Sequence, residues 1–274
     1  MTAPFGRRLA GKTGQRGALC AGIDPHPGLL HAWGLERSVS GLESFALSAA
    51  EVLAEEVAVI KPQSAFFEAY GAAGIAVLEK VIKASHDAGA LVLLDVKRGD
   101  IGSTMGAYTA AYLSGDTALS ADAVTVSPYL GFGSLAPAIE VAREHGRGVF
   151  VLARTSNPEA AELQNALLPN GKTVAQSIVD QAAAVNEGVE PLGDVGVVVG
   201  ATVEPGALDL DALGGPVLAP GFGAQGATVS DLRKLFGTEL RGVLPASSRD
   251  LLRHGPDPVA LRDAVRRTQA SLVE

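Results

Sequence analysis

The 274-residue sequence predicts an α/β fold, a single-domain TIM (β/α)8 barrel that spans residues 1–274 and carries a short N-terminal capping helix. Short β-rich runs recur along the chain, and helix-like stretches separate most of them. With 47% hydrophobic residues, the chain is also able to bury the large core that a one-domain barrel needs. A doubly wound open sheet is the alternative arrangement of the same units.

The predicted strands are nearly continuous apolar runs, which is typical of parallel strands covered on both faces. They span residues 18–24, 57–63, 91–97, 123–128, 148–155, 195–202, 216–221 and 242–248. Helices are predicted over residues 42–56, 74–89, 134–146, 174–188 and 229–237, several of which close on glycine. The link over residues 203–215 does not favour a helix. Residues 1–14 are expected to cap the barrel bottom, and residues 254–274 to form a closing helix.

The charge and cysteine content narrow the class of protein. A net charge of −8 argues against a general nucleic-acid or anionic-membrane binder, whereas a local pocket for the phosphate of a small metabolite stays compatible with it. The single cysteine, Cys20, excludes an intrachain disulfide and a cysteine-based zinc site. The N-terminus lacks an apolar signal core, and no run of about 18 apolar residues follows it. We therefore expect a cytoplasmic protein.

Two glycine motifs need their context. Residues 6–13, GRRLAGKT, match the Walker A pattern, but they precede a predicted strand where a P-loop would follow one. Residues 221–226, GFGAQG, match G-x-G-x-x-G but follow the seventh strand, and barrels often bind phosphate with the loops after strands seven and eight. The region of Gly223, together with Gln225 and the forked guanidinium of Arg249, is therefore predicted to bind phosphate.

The segment LVLLDVKRGDIGST, residues 91–104, carries charge directly after an apolar strand. Because side chains alternate along a strand, Asp95 and Lys97 should face the same way, with Lys61 approaching from the neighbouring strand. Asp100 lies in the loop beyond, so these four residues are predicted to form an alternating chain of charges. A purely structural ion-pair network is the alternative, but active sites of barrels lie at the C-terminal ends of the strands.

The neighbours of Lys97 bear on its chemistry. Adjacent carboxylates favour the ammonium form, which suits a proton donor or a stabiliser of a carbanion better than a Schiff-base nucleophile. The same acids would also suit Mg²⁺, although Lys61 and Lys97 would repel that cation. We therefore predict no metal.

At these residues the sequence resembles the orotidine 5'-monophosphate decarboxylase family, and it is most similar to the longer bacterial branch. The most specific segment is D-x-K-x-x-D-I-x-x-T, residues 95–104. Further segments follow in the family's order: GIDPHP, IKPQSAFFE, VTVSPYLGFGSL, ARTSNPEA, APGFGAQG and PASSR. Residues 100–104 read DIGST, where the shorter branch more usually has D-I-P-N-T. Asp100, Ile101 and Thr104 are the same in both, so the difference affects the shape of the loop more than the chemistry.

The resemblance implies a cofactor-free enzyme that converts orotidine 5'-monophosphate to UMP and CO₂, as a homodimer with shared active sites. Lys97 would be the proton donor to C6, with Asp95 beside the substrate carboxylate. Lys61 and Asp24 would bind the ribose hydroxyls. The other implied contacts are Asp100 and Thr104 reaching into the partner's site, Ile101 lining it, Ser156 at the pyrimidine, and Gln225 and Arg249 at the phosphate.

Three other functions remain open at this stage. A metal-dependent sugar-phosphate lyase of the same suprafamily shares D-x-K-x-x-D, but its members carry a metal-binding acid where this chain has Lys61. A lysine aldolase would require a neutral amine at Lys97. A non-catalytic nucleotide-binding barrel would bind UMP without turnover.

Overall fold

The computed structural model describes residues 2–223 and 226–273, and within them eight parallel strands form a closed barrel in chain order. The predicted barrel is thus confirmed. The strands are β1 (Cys20–Ile23), β2 (Val59–Pro62), β3 (Leu91–Arg98), β4 (Ala123–Val126), β5 (Gly148–Arg154), β6 (Val195–Val199), β7 (Val217–Pro220) and β8 (Val243–Ser247).

Helices surround the barrel, and most lie between successive strands. They are α1 (Phe5–Arg16), α2 (Pro27–Ala32), α3 (Val39–Glu56), α4 (Ser64–Glu68), α5 (Gly71–Asp87), α6 (Gly102–Tyr112), α7 (Ala136–Glu144), α8 (Ala160–Gln164), α9 (Val174–Asn186), α10 (Val229–Phe236), α11 (Arg249–Leu252) and α12 (Pro258–Val273). No helix forms over residues 200–216, all of which are described, as the sequence indicates. No helix within the described ranges is long and apolar enough to cross a lipid bilayer.

The core has two layers. The larger lies between the strands and the outer helices, and the smaller fills the barrel interior. Helix α1 closes the bottom of the barrel, because its Phe5 packs edge-on against Phe150 of β5, with ring centroids 6.0 Å apart. A Cβ atom at Gly148 would lie 2.3 Å from the Phe5 ring, so the absence of a side chain at Gly148 makes room for this ring. The predicted N-terminal cap is therefore confirmed.

Residues 6–13 lie entirely within α1, so they do not form a P-loop. A Cβ atom at Gly6 would lie 2.0 Å from the carbonyl oxygen of Leu192, which explains a glycine at this helical position by close backbone approach.

A buried carboxylate joins α1 to the bottom of the barrel. Asp122 Oδ1 accepts a hydrogen bond from Arg8 at 2.6 Å, and Asp122 Oδ2 lies 2.8 Å from both His86 Nε2 and the amide nitrogen of Val92. Burial alone would raise the pKa of Asp122, but His86, Arg8 and the Val92 amide hold it well below its usual range. This cluster lies at the opposite end of the barrel from the strand ends described next.

Candidate active site

Two cavities open at the C-terminal ends of the strands, and both are lined by Pro220. The β5 cavity, about 220 Å³, is lined by residues that include Asp95, Lys97, Thr125, Ser156 and Gly200. The β8 cavity, about 110 Å³, is lined by residues that include Asp24, Lys61, Gly221, Ser248 and Arg249. Most of the residues predicted from the sequence to be functional are thus brought to one mouth.

A chain of ion pairs links the two cavities. Asp95 lies at its centre, with Lys97 Nζ 2.6 Å from Oδ1 and Lys61 Nζ 3.2 Å from Oδ2. Lys61 Nζ also lies 4.0 Å from Asp24 Oδ1. Lys61 and Asp95 are buried, whereas 44% of the Lys97 side chain is exposed. The exposed ammonium is therefore available to a bound molecule, while its counter-ion is held in place.

The electrostatics keep this chain charged. Burial would raise the pKa of Asp95, but Lys61 and Lys97 together lower it to about 2. Burial likewise opposes the charge on Lys61, but Asp95 and Asp24 outweigh it and hold the pKa of Lys61 above its usual value. At neutral pH the site therefore presents a carboxylate between two ammonium groups.

The end of β3 departs from regular strand geometry. Lys97 has a φ of 47°, a left-handed conformation that is uncommon outside glycine. The pairing of β3 with β4 shifts register between Leu94 and Arg98, which marks a bulge. Simple alternation predicts correctly that Asp95 and Lys97 meet, but the bulge is what sets their geometry.

Two further polar residues contact Asp95, and the sequence analysis missed both. Thr125 of β4 donates to Asp95 Oδ1 at 2.8 Å and accepts from the Lys97 amide at 3.0 Å. With its amide nitrogen turned towards the acceptors, Gln63 donates to both the main-chain oxygen and Oδ2 of Asp95, at 2.9 Å each. A signal existed for each: Gln63 lies two residues after Lys61 and so shares its strand face, and Thr125 is polar between two valines.

Asp100 lies apart from the chain of ion pairs, which corrects the predicted four-membered network within one subunit. Its Oδ1 accepts from the amide of Ile101 at 2.8 Å, and it forms no ion pair with a described residue. Ile101 is 62% exposed, and Thr104 in the first turn of α6 is also exposed. Ile101 and Thr104 therefore lie on the surface beside the mouth, and Asp100 is half-buried next to them.

The loops after β7 and β8 form the other side of the mouth. Gly221 and Gly223 both have positive φ, at 101° and 76°, which a side chain would disfavour. Gln225 lies outside the described residues. Arg249, the first residue of α11, is exposed, and its guanidinium has no hydrogen bond or ion pair to a described residue. Its guanidinium is thus available to an anion at this rim.

Two buried oxygen atoms at the β8 cavity lack hydrogen-bond partners among the described residues: Asp24 Oδ1 and Ser248 Oγ. Buried polar groups are seldom left unpaired, so these atoms indicate a site that a polar ligand completes. The unpaired Oδ1 of Asp24 is an acceptor, so it is suited to a hydrogen bond from a hydroxyl group of a ligand.

Ser156 follows β5 and lines the β5 cavity. Gly200 at the end of β6 allows its approach, since a Cβ there would lie 2.9 Å from Ser156 Cβ. Gln164 of α8 holds the same loop by accepting from the Thr155 amide at 2.8 Å.

Cys20 is fully buried in the barrel interior, and burial raises the pKa of its thiol to about 12. A thiol in this state is a packing group and a poor nucleophile. Over residues 2–223 and 226–273, no three His, Cys, Asp or Glu side chains are grouped so as to hold a metal ion.

Comparisons with known proteins agree with this geometry. The model of the orotidine 5'-phosphate decarboxylase / HUMPS family matches residues 17–263. The orotidine 5'-phosphate decarboxylase of Salinispora tropica is 58% identical over 266 residues, which cover 97% of this chain and 96% of the relative. That of Streptomyces coelicolor is 55% identical over 265 residues, covering 96% and 95%.

A solved structure is also similar over nearly the whole chain. The putative orotidine 5'-phosphate decarboxylase of Streptomyces avermitilis superposes with a TM-score of 0.96 at 55% identity, covering 99% of this chain and 95% of that one. On the family match, the sequence identity and the shared structure, the chain belongs to the orotidine 5'-phosphate decarboxylase / HUMPS family.

Proposed function

We propose that the protein decarboxylates orotidine 5'-monophosphate to UMP and CO₂ without a cofactor, the last step of de novo pyrimidine nucleotide synthesis. The observation that carries this proposal is the ammonium of Lys97, held 2.6 Å from Asp95 at the barrel mouth, in a chain 55 to 58% identical to named decarboxylases.

The lysine would act where charge develops. When the bond from C6 to the carboxylate breaks, CO₂ leaves and the electron pair stays on C6 as an sp² carbanion in the ring plane, where the π system cannot delocalise it. An ammonium held beside C6 stabilises this charge and then transfers its proton to C6. Because 44% of the Lys97 side chain is exposed, solvent is able to reprotonate the amine before the next turnover.

Asp95 would lie against the substrate carboxylate while orienting Lys97. Enzymes lower barriers by about 8–23 kcal/mol, and this reaction requires the upper part of that range. Contacts to the distant phosphate therefore have a catalytic use, because their binding energy can hold the reacting carboxylate beside Asp95.

The remaining contacts follow the two cavities. Lys61 and Asp24 would bind the ribose hydroxyls, which would supply the hydrogen bond that Asp24 Oδ1 lacks. Ser156 would contact the pyrimidine from the β5 cavity, and Arg249, which lines the β8 cavity, would bind the phosphate together with Gln225.

We also propose a homodimer in which Asp100 and Thr104 complete the partner's site and Ile101 lines it. Ile101 and Thr104 are exposed and Asp100 is half-buried, and Asp100 has no ion-pair partner among the described residues of its own chain, which supports this proposal. Exposed apolar side chains at the same end of the barrel, Tyr129 at 76% and Leu130 at 52%, are suited to burial in an interface. We also propose that the chain forms a single domain and that the protein is cytoplasmic. The one buried thiol is in keeping with this location.

The first test is the loss of orotate-ring ultraviolet absorbance when the protein meets orotidine 5'-monophosphate, with and without EDTA. Rapid loss that EDTA does not change is expected. Loss that EDTA abolishes and Mg²⁺ restores would favour the metal-dependent alternative, and tight UMP binding without turnover would favour the non-catalytic barrel.

Two variants test the residue roles. Lys97→Ala should abolish turnover while UMP still binds, and substantial turnover in a folded Lys97→Ala protein would refute the assigned role. Mixing inactive Lys97→Ala subunits with inactive Asp100→Ala subunits should restore some activity, because one of the two sites in a mixed dimer is intact. No recovery despite demonstrated subunit exchange would argue against shared sites.

A further inference from the structure

We propose that Thr125 is a positioning residue for this reaction: its hydroxyl fixes both the main chain of Lys97 and the carboxylate that Lys97 pairs with. The inference rests on the proposed decarboxylase function and adds a residue to it. It is carried by the bulge at the end of β3 and by two hydrogen bonds at one buried oxygen atom.

The bulge removes the ordinary partner of the Lys97 amide. Leu94 pairs with Val124 and Arg98 pairs with Val126, so four steps along β3 match two steps along β4. Lys97 is one of the residues of β3 between these two pairs, where β3 is longer than β4. Its φ of 47° turns the main chain away from regular strand pairing. A main-chain amide in such a position needs another acceptor.

The Thr125 hydroxyl is that acceptor. The amide of Lys97 donates to Thr125 Oγ1 at 3.0 Å. Since a carboxylate only accepts, the single hydroxyl proton is the one that bridges Thr125 Oγ1 and Asp95 Oδ1, 2.8 Å apart. Thr125 is 1% exposed, so bulk water does not compete for either bond.

These bonds close a ring around the reactive ammonium. Asp95 Oδ1 accepts from the Thr125 hydroxyl and from Lys97 Nζ, while the same hydroxyl holds the Lys97 main chain. Thr125 therefore sets both ends of Lys97, its amide and the counter-ion of its ammonium. Thr125 also lines the β5 cavity, but its one hydroxyl proton is already committed to Asp95, so its role is to position Lys97.

The test compares steady-state kinetics and UMP affinity of Thr125→Val, which keeps the shape but removes the hydroxyl, with those of Thr125→Ser, which restores it. We expect Thr125→Val to lower kcat by about 10- to 100-fold, the effect of losing one hydrogen bond to a charged group, with KM and the Kd for UMP changed by less than about 3-fold. Thr125→Ser should recover most of kcat.

Thr109→Val is the matched control. Thr109 is 3% exposed, and its hydroxyl donates within α6 to the Met105 carbonyl at 2.8 Å. The Thr109→Val variant loses a hydroxyl that is about as buried as that of Thr125. We therefore expect a change in thermal stability similar to that of Thr125→Val, with kcat near the wild-type value.

The outcomes separate this inference from the function on which it rests. An active wild type with Thr125→Val within about 2-fold of its kcat would overturn the positioning role alone, as would a parallel loss of UMP affinity. An inactive wild type would overturn the proposed function and this role with it. If Thr125→Val does not fold, Thr125→Cys takes its place, because a thiol is a weak donor of similar size, and wild-type kcat in that variant would refute the inference.

Discussion

Replacing Asp95 with asparagine should destabilise the fold as well as abolish catalysis. The change leaves the ammonium of Lys61, 7% exposed, without a carboxylate 3.2 Å away, and with Asp24 at 4.0 Å as its remaining counter-ion. Removing one partner of a buried ion pair costs about 3–5 kcal/mol, and the residual attraction of Asp24 favours the lower end. At about 2–4 °C per kcal/mol for a chain of this size, Tm should fall by roughly 6–12 °C.

The acid dependence gives the same prediction a sharper form. The pKa of Asp95 is depressed from 3.8 to about 2 in the folded state, so its contribution to stability is fully present above pH 3.8 and is lost as pH falls towards 2. The Tm difference between wild type and Asp95→Asn should therefore be constant above about pH 5 and should shrink below about pH 4.

Thermal unfolding of the two proteins across this pH range is the assay. Asp87→Asn is the matched control, because Asp87 forms its 2.6 Å ion pair with Lys83 on the surface, with side chains 63% and 75% exposed, and it should cost less than about 1 kcal/mol. An Asp95→Asn protein that melts with the wild type at pH 7 would refute the energetic reasoning. Adding Lys61→Met to Asp95→Asn should restore part of the stability, since it removes the unpaired buried charge.

Two further predictions contrast the ends of the barrel. Arg249→Ala should raise KM for orotidine 5'-monophosphate and the Kd for UMP by about 10- to 100-fold, with uridine binding and Tm nearly unchanged, because the exposed guanidinium has no bond to a described residue. Equal KM values in the wild type and in Arg249→Ala would exclude Arg249 from phosphate binding. Asp122→Asn should instead lower Tm while kcat of the folded protein stays near wild type, and because the pKa of Asp122 is depressed, the Tm loss should diminish in acid. A kcat loss at full stability would contradict the structural role of Asp122.

Two helices differ from what the apolar pattern of the sequence predicts. Helix α6 was not predicted after β3, because its apolar residues do not gather on one face and so give no periodic signal. Helix α3 begins at Val39, earlier than the apolar run suggests, because the side chain of Ser38 caps it by accepting from the Gly41 amide. Hydrophobic periodicity therefore predicts neither a helix without an apolar face nor a helix start that a side-chain cap sets.

Local patterns in the sequence predict the alternation of apolar strands with helices, and hence the barrel. They also place Asp24, Lys61, Asp95 and Lys97 at strand ends, and hence at a shared mouth. These follow from local patterning, because parallel strands in a barrel all end on the same side.

The way in which those residues meet depends on contacts between strands. The shift between β3 and β4, the left-handed Lys97 and its bond to Thr125 depend on the register of two strands that are distant in sequence. The separation of Asp100 from Lys97 likewise depends on the direction in which the chain leaves the bulge to begin α6. Strand register is fixed by pairing and packing across the sheet, so composition and spacing along one chain segment do not specify it.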